Sequence, residues 1–179
     1  MLCSCGRGPV ENGKSRAGKI YTTCRLCARE NFKKMIQDSV NKRQESLSCF
    51  EKIFSDAIKK GNEAAEIVQP VPMVVQQHAN VMDDNSPVVK QWECNDGVCG
   101  FGWVEVSPGN SSFANWLKSK GYFYSNYGGC VHISSRLQTQ SLEKNAAWAA
   151  GLAKHLNDNI HLLQTGKSKL RISSHSRID

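Results

Sequence analysis

Residues 101–134 read FGWVEVSPGNSSFANWLKSKGYFYSNYGGCVHIS, and their periodicities decide the fold class. Phe101, Trp103, Glu105 and Ser107 alternate with Gly102, Val104 and Val106, the period of two expected of a strand. Pro108 stops the strand because proline has no ladder donor. Asn110-Ser111-Ser112 offers oxygens to cap a helix over Phe113 to Lys120, with Phe113, Trp116 and Leu117 on one face and Gly121 ending it. Tyr122 to Tyr127 and Cys130 to Ser134 then read as paired strands around Gly128-Gly129, a turn that needs positive φ. Downstream, Ser141 caps a second helix, and Glu143 in its first turn suits the helix dipole. Leu142, Ala146, Ala149, Leu152, Ala153 and Leu156 supply that helix's apolar stripe. Ile160 to Leu163 and Lys169 to Ile172 close the series as strands. The order is β-α-β-β-α-β with one extra strand, so residues 91–179 are expected to form a ferredoxin-like α+β sandwich. All four tryptophans fall in this part and supply bulk for its core.

Toward the N-terminus, residues 61–90 contain Pro70, Pro72 and Pro87 and the polar tracts 76–80 and 83–86. Prolines remove ladder donors and fix φ, so this stretch is expected to be a linker, with Val71, Met73, Val74 and Val75 as a short docking strand. Residues 28–60 lack Gly and Pro and predict a long helix stopped by Gly61. Within it, Ile36, Val40, Arg43, Leu47, Phe50, Phe54 and Ala57 step by four and three, the spacing of a coiled-coil seam. Two readings stay open: a homo-oligomer through residues 36–58, or an amphipathic helix lying on the chain's own C-terminal domain.

The first 27 residues hold Cys3 and Cys5, then Cys24 and Cys27. Four thiolates are the soft set that tetrahedral zinc takes in closed, structural sites, so one Zn²⁺ is expected there. Lys19 to Thr23 reads as a short strand delivering Cys24, and Cys27 opens the long helix. This stretch, about residues 1–34, resembles the N-terminal treble-clef fingers of phage-type HNH and recombination endonucleases, from which its Cys-x-Cys half departs. The resemblance implies a zinc-stabilised finger that faces nucleic acid. The nuclease itself is not expected, because the following hundred residues offer only His78 in place of a catalytic His/Asp/Asn set. Phrases such as GWVEVSP, FANWLKSKGY, YGG and the terminal SRID are also similar to small phage proteins, which implies no particular activity. The chain is thus expected to comprise a finger plus helix (1–60), a linker (61–90) and an α+β domain (91–179).

Charge points the same way. Residues 1–60 carry 13 Lys/Arg against 6 Asp/Glu, whereas residues 61–179 carry 10 of each. A concentrated surplus attracts a polyanion through counterion release. Arg7, Lys14, Arg16, Lys19, Arg25, Arg29, Lys33 and Lys34, followed by Lys42 and Arg43, are the candidate contacts to DNA or RNA, with Tyr21 placed to stack on a base. The same charge could instead meet an acidic protein surface, as in an adaptor or a phage-encoded inhibitor of a host enzyme, with the C-terminal domain as the protein-binding module.

A second zinc site is suggested by Cys94 and Cys99, which flank a turn, with Cys130 and His132, which share a strand face; inert core thiols are the other reading. No GxxxxGK[ST], GxSxG or HExxH motif occurs, so no enzyme is expected. A His-lined site drawn from Arg136, His132, Glu143, His155, His161 and His175 is the one enzymatic alternative. The N-terminus lacks the apolar run of a secretion signal, no stretch of 18 apolar residues occurs, and reduced thiols suit the cytoplasm of a microbe or an infected cell.

Overall fold

The computed structural model describes residues 24–122, 129–165 and 169–179. The chain is α+β, with a long N-terminal helix and two small antiparallel sheets. Its elements are α1 (Arg25–Ile67), β1 (Met73–His78), β2 (Val88–Cys94), β3 (Gly100–Ser107), α2 (Ser112–Ser119), β4 (Val131–Ser134), α3 (Leu142–Asp158), α4 (Ile160–Leu163) and β5 (Arg171–Ile178). The described residues divide into two compact units at the Leu47/Ser48 boundary. Among the described residues no helix is long and apolar enough to cross a membrane.

In residues 48–179 the sheet order is β4-β3-β5, with β3 antiparallel to both neighbours. The alternation read from the sequence sorts β3 as expected: Gly100, Gly102, Val104 and Val106 are buried, whereas Phe101, Trp103, Glu105 and Ser107 are not. Val131, Ile133 and Ile172 continue the buried face, and α3 packs along β3 and β5. Both expected caps form, Ser111 Oγ accepting from the Ala114 amide and Ser141 Oγ from that of Lys144. The core is rich in edge-to-face aromatics, with Phe50 and Phe54 of α1 set against Phe113 and Trp116 of α2.

Several expectations change. Gly61 does not end α1, which runs to Ile67, three residues before Pro70. Its glycine serves helix approach instead: a Cβ there would lie 3.0 Å from the Trp148 carbonyl oxygen, and one on Gly151 would lie 2.8 Å from that of Lys60. Trp148 Nε1 donates to Asn62 across the same contact at 3.0 Å. The seam is divided as well. Phe50, Phe54 and Ala57 are buried in this unit's own core, which leaves Ile36, Val40 and Leu47 exposed.

The stretch expected to be a linker is largely a hairpin, β1 pairing antiparallel with β2. Its polar tract makes the turn, with Asn80 Oδ1 accepting from Met82, Asp83 Oδ1 from Asn85, and Ser86 Oγ donating to Asn80 and Asp83 carbonyls. Ile160–Leu163 is a helical turn, not a strand; Leu162 N–H bonds to the Asn159 carbonyl and Gln164 N–H to that of Ile160. A four-residue apolar run carries no periodicity that separates the two. The last strand runs on to Ile178 through the polar sequence SSHSR, which reads as loop until its open face is seen. Residues 123–127, read as most of the sandwich's second strand, lie outside the described residues.

Candidate binding cleft on the open sheet face

Because α3 covers one face of the β4-β3-β5 sheet, side chains of the other parity collect on the opposite face. The register places them in rows. Phe101 pairs with Arg177; Trp103 lies between Ser134 and His175; Glu105 lies between His132 and Ser173; Ser107 pairs with Arg171. A cleft of about 580 Å³ opens here, lined by Phe101, Trp103, Tyr122, His132, Arg136 and Arg177 together with the hydroxyls of Ser134 and Ser135. That is the size of a small-molecule or single-residue site. Phe101 remains 51% exposed, a large apolar surface left uncovered in a central strand.

The floor is ordered by aromatic contact. Trp103 stacks on the His175 ring at 5.7 Å and 21°, and His132 lies at 6.4 Å on the other side. The Arg136 guanidinium sits 5.8 Å from the Tyr122 ring centroid and donates to the Gly121 carbonyl at 3.2 Å, so one cationic wall is held in place. Beneath, Glu105 Oε2 lies 3.4 Å from His132 Nε2 and 3.9 Å from His175 Nε2. Ser173 Oγ reaches the same His175 Nε2 at 3.0 Å. A serine nucleophile relay needs hydroxyl and carboxylate on opposite ring nitrogens. Here both meet one nitrogen, so the cluster is an orienting network and not a relay.

Cys130 adjoins this cluster. Its hydrogen bond to Glu105, followed by burial and the same carboxylate's charge, pushes the thiol up from its ordinary range, while Ser107 and Arg171 pull it down. The carboxylate therefore opposes thiolate formation, and with it ligand chemistry. Geometry adds a further obstacle to the second zinc site. Cys99 precedes β3 at one end and Cys130 stands beside Ser107 at the other. Seven residue steps of strand, about 23 Å, separate those ends. Cys94 closes β2, on the Cys99 side of that span in sequence. The structure thus brings Cys130 and His132 to one edge of the face and does not bring Cys94 and Cys99 to them. Among the described residues, no group of three or more His, Cys, Asp and Glu is arranged to hold a metal.

For the N-terminal set, Cys3 and Cys5 lie outside the described residues, as do Arg7, Lys14, Arg16, Lys19 and Tyr21. Cys24 is buried just before α1, Cys27 lies in its first turn, and the Cys24 carbonyl accepts from Ala28 at 2.9 Å. A spacing of three residues at a helix start is that of half of a tetrahedral thiolate set. Arg25 is the first residue of α1; Arg29, Lys33, Lys34, Lys42 and Arg43 follow it and are exposed.

No family model, characterised protein or solved structure matches this chain.

Of the six residues proposed to converge on a His-lined site, His132, His175 and Arg136 do share the open face. Glu143 instead accepts from the Val71 amide at 3.0 Å, and His155 lies against Asn159 on the helical layer with His161 close by in sequence. Sequence reading missed Phe101, Trp103, Arg177, Ser134 and Tyr122 as a site. The signal was present as parity: Phe, Trp, Glu and Ser on β3, and Arg, Ser, His and Arg on β5, face away from the glycines and valines.

Proposed function

We propose that this chain is a non-enzymatic nucleic-acid-binding protein that holds a single strand on the open face of the β4-β3-β5 sheet. The observation that carries the reading is the cleft lined jointly by Phe101, Trp103, Arg136 and Arg177, with no carboxylate among its described lining residues. Aromatic faces stack on bases of any sequence, and guanidiniums meet phosphates. The basic N-terminal stretch, stabilised by zinc on Cys3, Cys5, Cys24 and Cys27, supplies a separate electrostatic contact through Arg29, Lys33 and Lys34. Its charge surplus supports this role. The ferredoxin-like arrangement belongs to the same proposal: it sets the first strand between the third and fourth, the order seen for β4-β3-β5.

Fluorescence anisotropy with a labelled single-stranded oligonucleotide tests the reading. Binding to the full chain is expected to weaken steeply with salt, and the Phe101→Ala/Trp103→Ala variant is expected to lose at least about tenfold in affinity. A double variant that binds like the parent removes the sheet face from the account. A protein-interaction adaptor is the second reading, favoured by the exposed Val74, Val75, Val88, Val89 and Trp92 of the β1–β2 hairpin. It takes precedence if the zinc-loaded chain shows no oligonucleotide binding at any salt concentration.

A further inference from the structure

We infer that the cleft receives the phosphorylated end of a single strand and not an interior stretch, an inference that rests on the nucleic-acid reading above. A strand crossing a flat sheet needs open passage on both sides. Here groups outside the sheet stand along one side. Tyr122, from the segment following α2, lines the cleft together with Arg136, which is tied to it by the ring contact and to Gly121 by a hydrogen bond. The opposite side is the edge strand β5, where Arg177 stands beside Phe101. A volume of about 580 Å³ accommodates a terminal nucleotide rather than a run of them.

Charge favours an end as well. A terminal phosphomonoester carries roughly −1.5 to −2 charge at neutral pH, against −1 for an interior diester. β4 and β5 flank β3 at two interstrand spacings, roughly 9.5 Å, with Arg136 two residues beyond the end of β4 and Arg177 beside Phe101 on β5. Guanidiniums approaching from both sides can therefore close on one phosphate above the ring while the base lies over Trp103. Arg136 is already held, so little side-chain freedom is lost on binding. His132 lines the inner end of the cleft, its Nε2 3.4 Å from Glu105 Oε2.

The test is competition against a labelled oligonucleotide on the full chain, using four unlabelled probes. They are the same sequence with a terminal phosphate, the same sequence without one, the same sequence as a covalently closed circle, and inorganic phosphate. The phosphorylated linear strand is expected to compete at least about tenfold better than the circle, the worth of a charge-assisted bidentate contact. Arg177→Gln, on an exposed strand edge, and Arg136→Gln are each expected to erase that difference by weakening the phosphorylated linear strand at least about tenfold more than the circle. Circular and phosphorylated linear strands competing equally would overturn the end-binding inference and leave the nucleic-acid reading standing. Failure of every oligonucleotide to compete would overturn both. Inorganic phosphate competing as well as the phosphorylated strand would overturn the inference too, because the aromatic floor would then contribute nothing.

Discussion

Trp103 sits at the junction of the two chemistries on the open face. One side of its ring is satisfied by His175, and the indole also lines the cleft where Phe101 lies uncovered. Truncating either aromatic removes contact area without opening the core, which lies on the other side of β3. Phe101→Ala is therefore expected to change the urea midpoint little while weakening oligonucleotide binding by about 1–3 kcal/mol. Equal losses in stability and binding would instead make Phe101 a packing residue. Cys130 offers a separate reading of the Glu105 carboxylate. Because a neighbouring anion raises a thiol, Glu105→Gln is expected to lower the Cys130 pKa and speed its alkylation by iodoacetamide at neutral pH. An unchanged labelling rate, followed by peptide mass spectrometry, would place the cause in burial alone.

At the scale of elements, glycines decide how closely layers meet. A Cβ on Gly102 would overlap the Asn145 carbonyl of α3, and Asn145 in turn donates to Gly100 at 3.0 Å. Gly102→Ala must push β3 and α3 apart, and a loss of at least about 1–3 kcal/mol is expected in urea unfolding. Ser111→Ala should cost about 1 kcal/mol, since only one cap bond is lost. The two glycine roles show what the sequence could and could not convey. Ser111, Ser141 and the β3 alternation are local signals, each read from neighbours within four residues, and the helices and strand they announce are present. Gly61 resembles a helix stop locally, and only Trp148, 87 positions later, shows why a glycine is needed. The cleft is of the second kind. Its lining comes from β3, β4, β5 and the segments around Tyr122 and Arg136, and the pairing of Phe101 with Arg177 spans 76 positions with no periodicity linking them. The hairpin was hidden differently, since its prolines and polar tract are read as linker composition although they shape the turn and its approach.

Across the whole molecule, the two units offer separable readouts. All four tryptophans lie beyond residue 48, in the unit that has its own aromatic core. Chelation of zinc is thus expected to lower amide-exchange protection at residues 24–47 and leave tryptophan emission and its thermal midpoint unchanged. A chelator that shifts the tryptophan signal would instead link metal to the larger core; metal-free protein with full protection would remove zinc from the account. The β1–β2 hairpin carries a different consequence. Its turn is closed by bonds among Asn80, Asp83 and Ser86, while Val81 and Met82 between them are 83% and 93% exposed. Among the described residues, the tip's hydrogen bonds run within the turn. Those two positions form a natural docking port for an engineer: a fluorophore, an epitope or a second domain spliced there would displace no buried side chain.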